Sequence, residues 1–195
     1  MRFLGRRIGF ALTGSHCTIP QVMPVISELV SSGAEVLAIV SESVRDTDTR
    51  FGAAKELRTK LVELTGTEPI SSIVEAEPIG PQKMLDCLVI APCTGNTAAK
   101  LANGIVDGTV TMAAKAQLRN GRPVVIAIST NDGLGLNAKS IAILSCTPCV
   151  YLVPYRQDNP NEKANSVVAF MDLIPDTIDM AMRGLQIQPV LRDGE

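Results

Sequence analysis

The stretch from Asp86 to Gly108, DCLVIAPCTGNTAAKLANGIVDG, limits what this chain can fold into more than any other. Cys87 to Ala91 are apolar throughout, as in a strand buried on both faces, and Pro92 ends the run because it has no N–H to give a sheet ladder. Thr94, Gly95, Asn96 and Thr97 then bring hydroxyls, an amide and a small residue to the point where an alanine-rich helix, Ala98 to Ala102, begins. A helix opening there directs unpaired N–H groups and a positive dipole end at whatever lies above it. Two readings follow. Thr94 or Asn96 does no more than cap the helix, or the junction holds a phosphate or carboxylate.

The same alternation recurs along the chain. Arg7 to Leu12 reads as a first strand, and Pro20 stands in the first turn of a helix whose apolar residues Val22, Met23, Ile26, Leu29 and Val30 repeat at helical spacing. Glu35 to Val40 is a second buried strand, which completes a βαβ unit and so a right-handed parallel crossover. A helix is expected from Arg50 to Leu64, a weaker strand at Ser71 to Val74 and a helix from Asp107 to Leu118. A strand over Arg122 to Ile128, a helix over Ala138 to Leu144 and a last strand over Val150 to Val153 complete the pattern. Arg156 to Lys163 reads as a solvated loop, and the tail from Ser166 to Gly184 as helix, interrupted at Pro175. Strands alternating with helices specify a doubly wound parallel α/β sheet of the Rossmann or flavodoxin type, with about six strands and three layers. With 195 residues and no linker-like tract, one domain is expected.

In such a sheet, ligands sit outside the carboxyl ends of the strands. Four junctions carry polar groups at that edge: Gly14, Ser15 and His16; Ser41 and Ser43; Thr94 to Thr97; and Ser129, Thr130 and Asn131. Their coincidence points to a shared pocket of hydroxyls, amides and backbone N–H groups without Lys or Arg. This chemistry suits a phosphorylated but largely neutral ligand such as a mononucleotide. Gly133 to Ala138 matches G-x-G-x-x-A, but Ser129 to Asp132 separate it from the strand; no P-loop occurs.

Composition excludes several classes. Aromatics make up 3% of the chain, which gives no stacking platform for nucleic acid, and a net charge of −2 gives no attraction to DNA, RNA or an anionic membrane. No apolar run reaches the roughly 18 residues of a membrane span, so a cytoplasmic protein is expected. Five cysteines and no secretory signal argue against a disulfide framework, and a single His leaves too few ligands for a zinc site, so no metal is expected. Cys146 and Cys149 have C-x-x-C spacing but follow a helix, where no dipole lowers a thiol pKa.

Gly9 to Ser15, Pro92 to Asp107 and Asn131 together resemble the flavoprotein family of homo-oligomeric flavin-containing cysteine decarboxylases, where the second segment is usually written P-A-S-A-N-T. The resemblance covers about the first 150 residues and implies FMN as cofactor and a homo-oligomer. It assigns Ser15, Thr94 and Thr97 to the phosphate or ribityl chain, Ser41 and Ser43 to the same pocket, and Asn96 and Asn131 to the ring or a substrate carboxylate. His16 would be a general acid or base, or a turn histidine bonded to backbone. The family's catalytic His, on the helix after the second strand's loop, has no counterpart, and its P-x-M-N segment stands here as Ile128-Ser-Thr-Asn131. A narrower resemblance, over the whole chain, is to one member of a two-component oxidative synthase of spore-forming bacteria. It implies an NAD(P)-binding partner chain and a small dicarboxylate as substrate.

Overall fold

A computed structural model describes residues 1–193. The parallel core consists of β1 (Arg7–Leu12), β2 (Glu35–Val40), β3 (Cys87–Cys93), β4 (Val124–Thr130) and β5 (Val150–Leu152), side by side in the order β2-β1-β3-β4-β5. This is the flavodoxin-like order, and its topological switch lies between β1 and β3. All seven residues of β3 are buried, as a strand covered on both faces requires. The β3–β4 register shifts between Ile90 and Cys93, where Pro92 withholds a donor, and the strand continues one residue past it.

Helices cover both faces. On one face α1 (Ile19–Ser31), α2 (Glu42–Asp46), α3 (Ala54–Thr65) and the C-terminal α8 (Ile174–Met182) bury Val22, Ile26, Leu29, Leu61, Ile174 and Ile178 against Phe10, Leu12, Val89 and Val125. On the other, α4 (Ile73–Ala76), α5 (Gly95–Ala102), α6 (Thr109–Arg119) and α7 (Ala138–Ser145) enclose Leu88, Ile90, Ile126 and Ile128. The three expected layers are present.

Three segments differ from expectation. Ser71 to Val74 is not a strand. Ser72 accepts the Glu75 amide at 3.2 Å while Glu75 accepts the Ser72 amide at 3.1 Å, and this capping box starts α4; only Ile70 bridges to the sheet, at Ile39. Pro175 opens α8, in whose first turn its missing N–H costs nothing, so it does not break a longer helix. The tail expected as helix from Ser166 begins instead as strand: β7 (Val167–Ala169) pairs with β6 (Tyr155–Gln157), the run expected as a solvated loop forms the end of β6 and the turn of this hairpin, and the sheet reaches seven strands. β7 pairs antiparallel with Ser129 and Thr130 at the end of β4, beyond the part of that strand that β5 covers. Residues 190–192 run along β6 through backbone bonds at Tyr155. No described helix is long and apolar enough to cross a membrane.

Truncating a side chain in the middle of β4 tests this packing. Ile126 is fully buried between β3 and β5, so Ile126→Ala should lower the free energy of unfolding by about 2–5 kcal/mol in chemical denaturation.

Candidate functional site

The carboxyl ends of β1 and β3 are joined by one side chain. The buried Thr13 hydroxyl donates to the Pro92 carbonyl at 2.6 Å and accepts the Thr94 amide at 3.0 Å. This bond pair closes the sheet at the switch point and sets the start of α5, where Thr94 accepts the Thr97 amide at 3.2 Å. The cap reading of Thr94 is therefore realised, and the α5 N-terminus opens onto the crevice above it.

Two glycines let neighbouring junctions close on each other. A Cβ on Gly14 would lie 2.6 Å from the Ser43 hydroxyl, and one on Gly95 would lie 2.6 Å from that of Thr130. The loops after β1 and β2, and those after β3 and β4, thus meet without intervening side chains. On the β4 side, Ser15, Thr18 and Ser129 form a triangle of hydroxyls with edges of 3.0, 2.9 and 2.9 Å.

The result is a cleft of two joined cavities along the sheet edge. The larger, of about 1090 Å³, is walled by Gly14, Ser15, Thr94, Asn96, Ser129, Thr130 and Asn131 and, opposite them, by the β6–β7 hairpin. The smaller, of about 400 Å³, takes Ser41, Ser43 and Thr97, and shares Gly14, Thr94 and Asn96 with the first. Eleven of the twelve residues expected at the ligand edge therefore line this cleft; the twelfth, His16, lines neither cavity.

A family model described as Flavoprotein matches residues 3–175. The chain belongs to the flavoprotein family. It is 54% identical over 187 residues, 96% of its length and 94% of the relative's, to the B subunit of dipicolinate synthase from Bacillus subtilis (strain 168). The crystal structure of the B subunit of dipicolinate synthase from Bacillus halodurans C superposes with a TM-score of 0.92 at 50% identity, covering 100% of both chains. SpaF, an FMN-dependent cysteine decarboxylase, shares the fold at a TM-score of 0.62 and 20% identity, over 94% of this chain and 98% of its own.

In this flavoprotein His16 stands at the border of the cleft. It lines an apolar groove of about 540 Å³ walled also by Met23, Phe51, Leu57 and Leu64, while its Nε2 lies beside the Gly14–Ser43 contact, 3.8 Å from where a Cβ on Gly14 would stand. The G-x-G-x-x-A segment is a turn stapled by Asp132, whose carboxylate accepts the Leu136 amide and the Asn137 side chain, both at 3.2 Å.

Several wall residues carry no signal of their place in the sequence. Arg156 and Lys163 reach the larger cavity from the hairpin, so the cleft is not free of cations as expected. Lys163 is paired with Asp158 at 3.1 Å. Glu42 lines the smaller cavity, and its Oε1 accepts the Thr109 amide at 2.9 Å and the Thr109 hydroxyl at 3.0 Å, which caps α6 from another element. Partial burial works against its charged form, but hydrogen bonds from its own amide and from Thr109, with the nearby Arg45, hold its pKa below the ordinary 4.5. The donor set fits a phosphorylated, largely neutral ligand. Hydroxyls and the α5 N-terminus supply donors, and two glycines let the hydroxyls of Ser43 and Thr130 close in on the floor. Among the described residues, the one carboxylate in the smaller cavity without an ionic partner is committed to the α6 N-terminus.

Because the folded Glu42 has the lower pKa, its contribution to stability is complete above 4.5 and disappears as pH falls through the folded value. At pH 7, Glu42→Gln, which keeps an acceptor for Thr109 and loses only the charge, should cost less than the about 1 kcal/mol of a whole helix cap. Denaturation curves of the two proteins should converge below the ordinary glutamate range.

The cysteines divide by burial. Burial pushes the Cys93 thiol up to about 12 and raises that of Cys87 as well, whereas Cys17 and Cys146 are exposed. Treatment of the native protein with a maleimide at about pH 7.5 should label Cys17 and Cys146 first. Cys87 and Cys93 should react only after unfolding, as peptide mass mapping would reveal.

Proposed function

We propose that this chain is the B subunit of a dipicolinate synthase. In this reading it holds FMN and acts with the synthase's NAD(P)-binding A subunit to oxidise a dihydrodipicolinate-type precursor to dipicolinate, a small dicarboxylate, during sporulation. The observation that carries the proposal is the end-to-end correspondence with the B subunit from Bacillus subtilis, 54% identical over 96% of the chain. Ser15, Ser41, Ser43, Thr94 and Thr97 would hold the phosphate and ribityl chain by hydrogen bonds, assisted by the N-terminal amides of α5. Asn96 and Asn131 would orient the ring or a substrate carboxylate. When bound, FMN supplies the capacity to take up the electrons that the aromatised ring gives up. The hairpin forms one wall of the larger cavity.

One observation favours a second reading, in which the chain binds and positions without turnover. The single His lies on the apolar groove, and among the described residues the wall of the polar cleft carries no other side chain that ordinarily titrates near neutrality. A decarboxylase acting on a peptidyl cysteine is a third reading, and it lacks the helix His of that family. A homo-oligomer accords with the family resemblance.

Reconstitution with the A subunit decides among these. In the proposed reading, dipicolinate forms only when both chains are present and at least about tenfold faster with FMN, and the purified chain takes up FMN with a shifted flavin absorption band. Equal rates with and without this chain would eliminate its catalytic part. Equal rates with and without FMN would favour the positioning role.

A further inference from the structure

Among the described residues, Lys100 is the one cation in the wall of the smaller cavity. It stands three residues after Thr97 on α5, and residues at that spacing share a face of a helix. The Thr94 and Thr97 hydroxyls, 3.0 Å apart, and the Lys100 stem thus follow one another along the same side of α5. The Ser41 and Ser43 hydroxyls, 3.4 Å apart, belong to the same wall. Asp107, from the segment between α5 and α6, holds the ammonium, with both carboxylate oxygens 2.9 Å from Nζ. An ammonium has three N–H donors, so this partner leaves at least one of them free. The side chains of the pair are 32% and 53% exposed, and ion pairs so exposed add little to stability. What the pair does fix is the place of the ammonium at the cavity wall.

The charged groups of this wall are Glu42, Asp107 and Lys100. Glu42 is committed: its Oε1 accepts from Thr109, and its Oε2 lies against Gly108, 2.8 Å from where a Cβ would stand. A phosphate monoester brings about two further negative charges at neutral pH. Hydroxyls and the first amides of α5 can donate to it, but they do not offset two carboxylates in the same wall. Only the Lys100 ammonium can do so. Bridging Asp107 and the phosphate, it would leave neither anion unpaired in a partly desolvated site.

We propose that Lys100 is the residue that selects the phosphorylated form of the flavin: its ammonium, held by Asp107, donates to the phosphate of FMN in the smaller cavity. This rests on the reading of the cleft as an FMN site. It adds the residue that would separate FMN from riboflavin, which lacks only that phosphate, and it leaves the larger cavity to the ring and the substrate.

The test is fluorescence titration of the full chain with FMN and with riboflavin. The parent should prefer FMN. Lys100→Gln should weaken FMN by about 10- to 100-fold and leave riboflavin nearly unchanged, so that the preference collapses while riboflavin reports an intact site. Lys100→Arg, which keeps the charge, should retain most of the preference. Asp107→Asn removes a carboxylate beside the phosphate and keeps the ammonium, so it should bind FMN at least as tightly as the parent. If the pair served only to tie α5 to the following segment, Lys100→Gln and Asp107→Asn would weaken both flavins alike, and that result would overturn the proposal. Lys163→Gln, which breaks the Lys–Asp pair of the larger cavity, should behave as the parent; loss of the FMN preference there instead would put the phosphate in the larger cavity and overturn the assignment. If the parent prefers FMN and Lys100→Gln keeps that preference, the assignment to Lys100 fails and the FMN reading stands. If the parent binds neither flavin, both fall.

Discussion

The Thr13 hydroxyl, with its bonds to Pro92 and Thr94, is the interaction on which the cleft depends. Parallel strands at a switch point diverge, because β1 is followed by a crossover in one direction and β3 by a crossover in the other. Pro92 has no N–H, so the end of β3 cannot be tied to β1 through its own ladder. A buried hydroxyl that donates once and accepts once replaces the missing rung and leaves neither backbone group unsatisfied. With that junction fixed, α5 starts above the crevice, and Gly14 and Gly95 allow the flanking loops to close.

The same strand ends show how the hairpin becomes part of the site. β4 is longer than its neighbour β5, and its last residues, Ser129 and Thr130, would present an unpaired edge. β7 occupies that edge, and its partner β6 is backed in turn by residues 190–192. The backbone demand of one exposed edge thus brings a distant segment over the cavity, and the register of the pairing decides which of its side chains face inward. Arg156 faces inward because it stands opposite Val168.

Much of this was legible in the residues. Uninterrupted apolar runs such as Cys87 to Ala91 and Val124 to Ile128 have one stable use in a chain of this size, and the polar residues that terminate them fall at one edge by the geometry of parallel sheets. The features without a local signature depend on partners far along the chain. β6 and β7 have three residues each, too few for a period-2 pattern, and Arg156 to Lys163 have the composition of a loop. Nothing beside Thr13 announces bonds to residues 79 and 81 positions later, or beside Glu42 a cap on a helix 67 positions away. His16 illustrates a limit of a different kind: its position in the chain puts it at the right edge, and the fold sets it at the border between the cleft and the neighbouring apolar groove.

The composition of the two cavity walls bears on what the cleft can do. A cleft whose wall offers hydroxyls, amides, carboxylates and fixed cations can bind, orient and stabilise charge, but it has little with which to move a proton near pH 7. The hydroxyl-lined edge, the N-terminal amides of α5 and the side chains of the hairpin wall are the parts of this fold suited to binding and orienting.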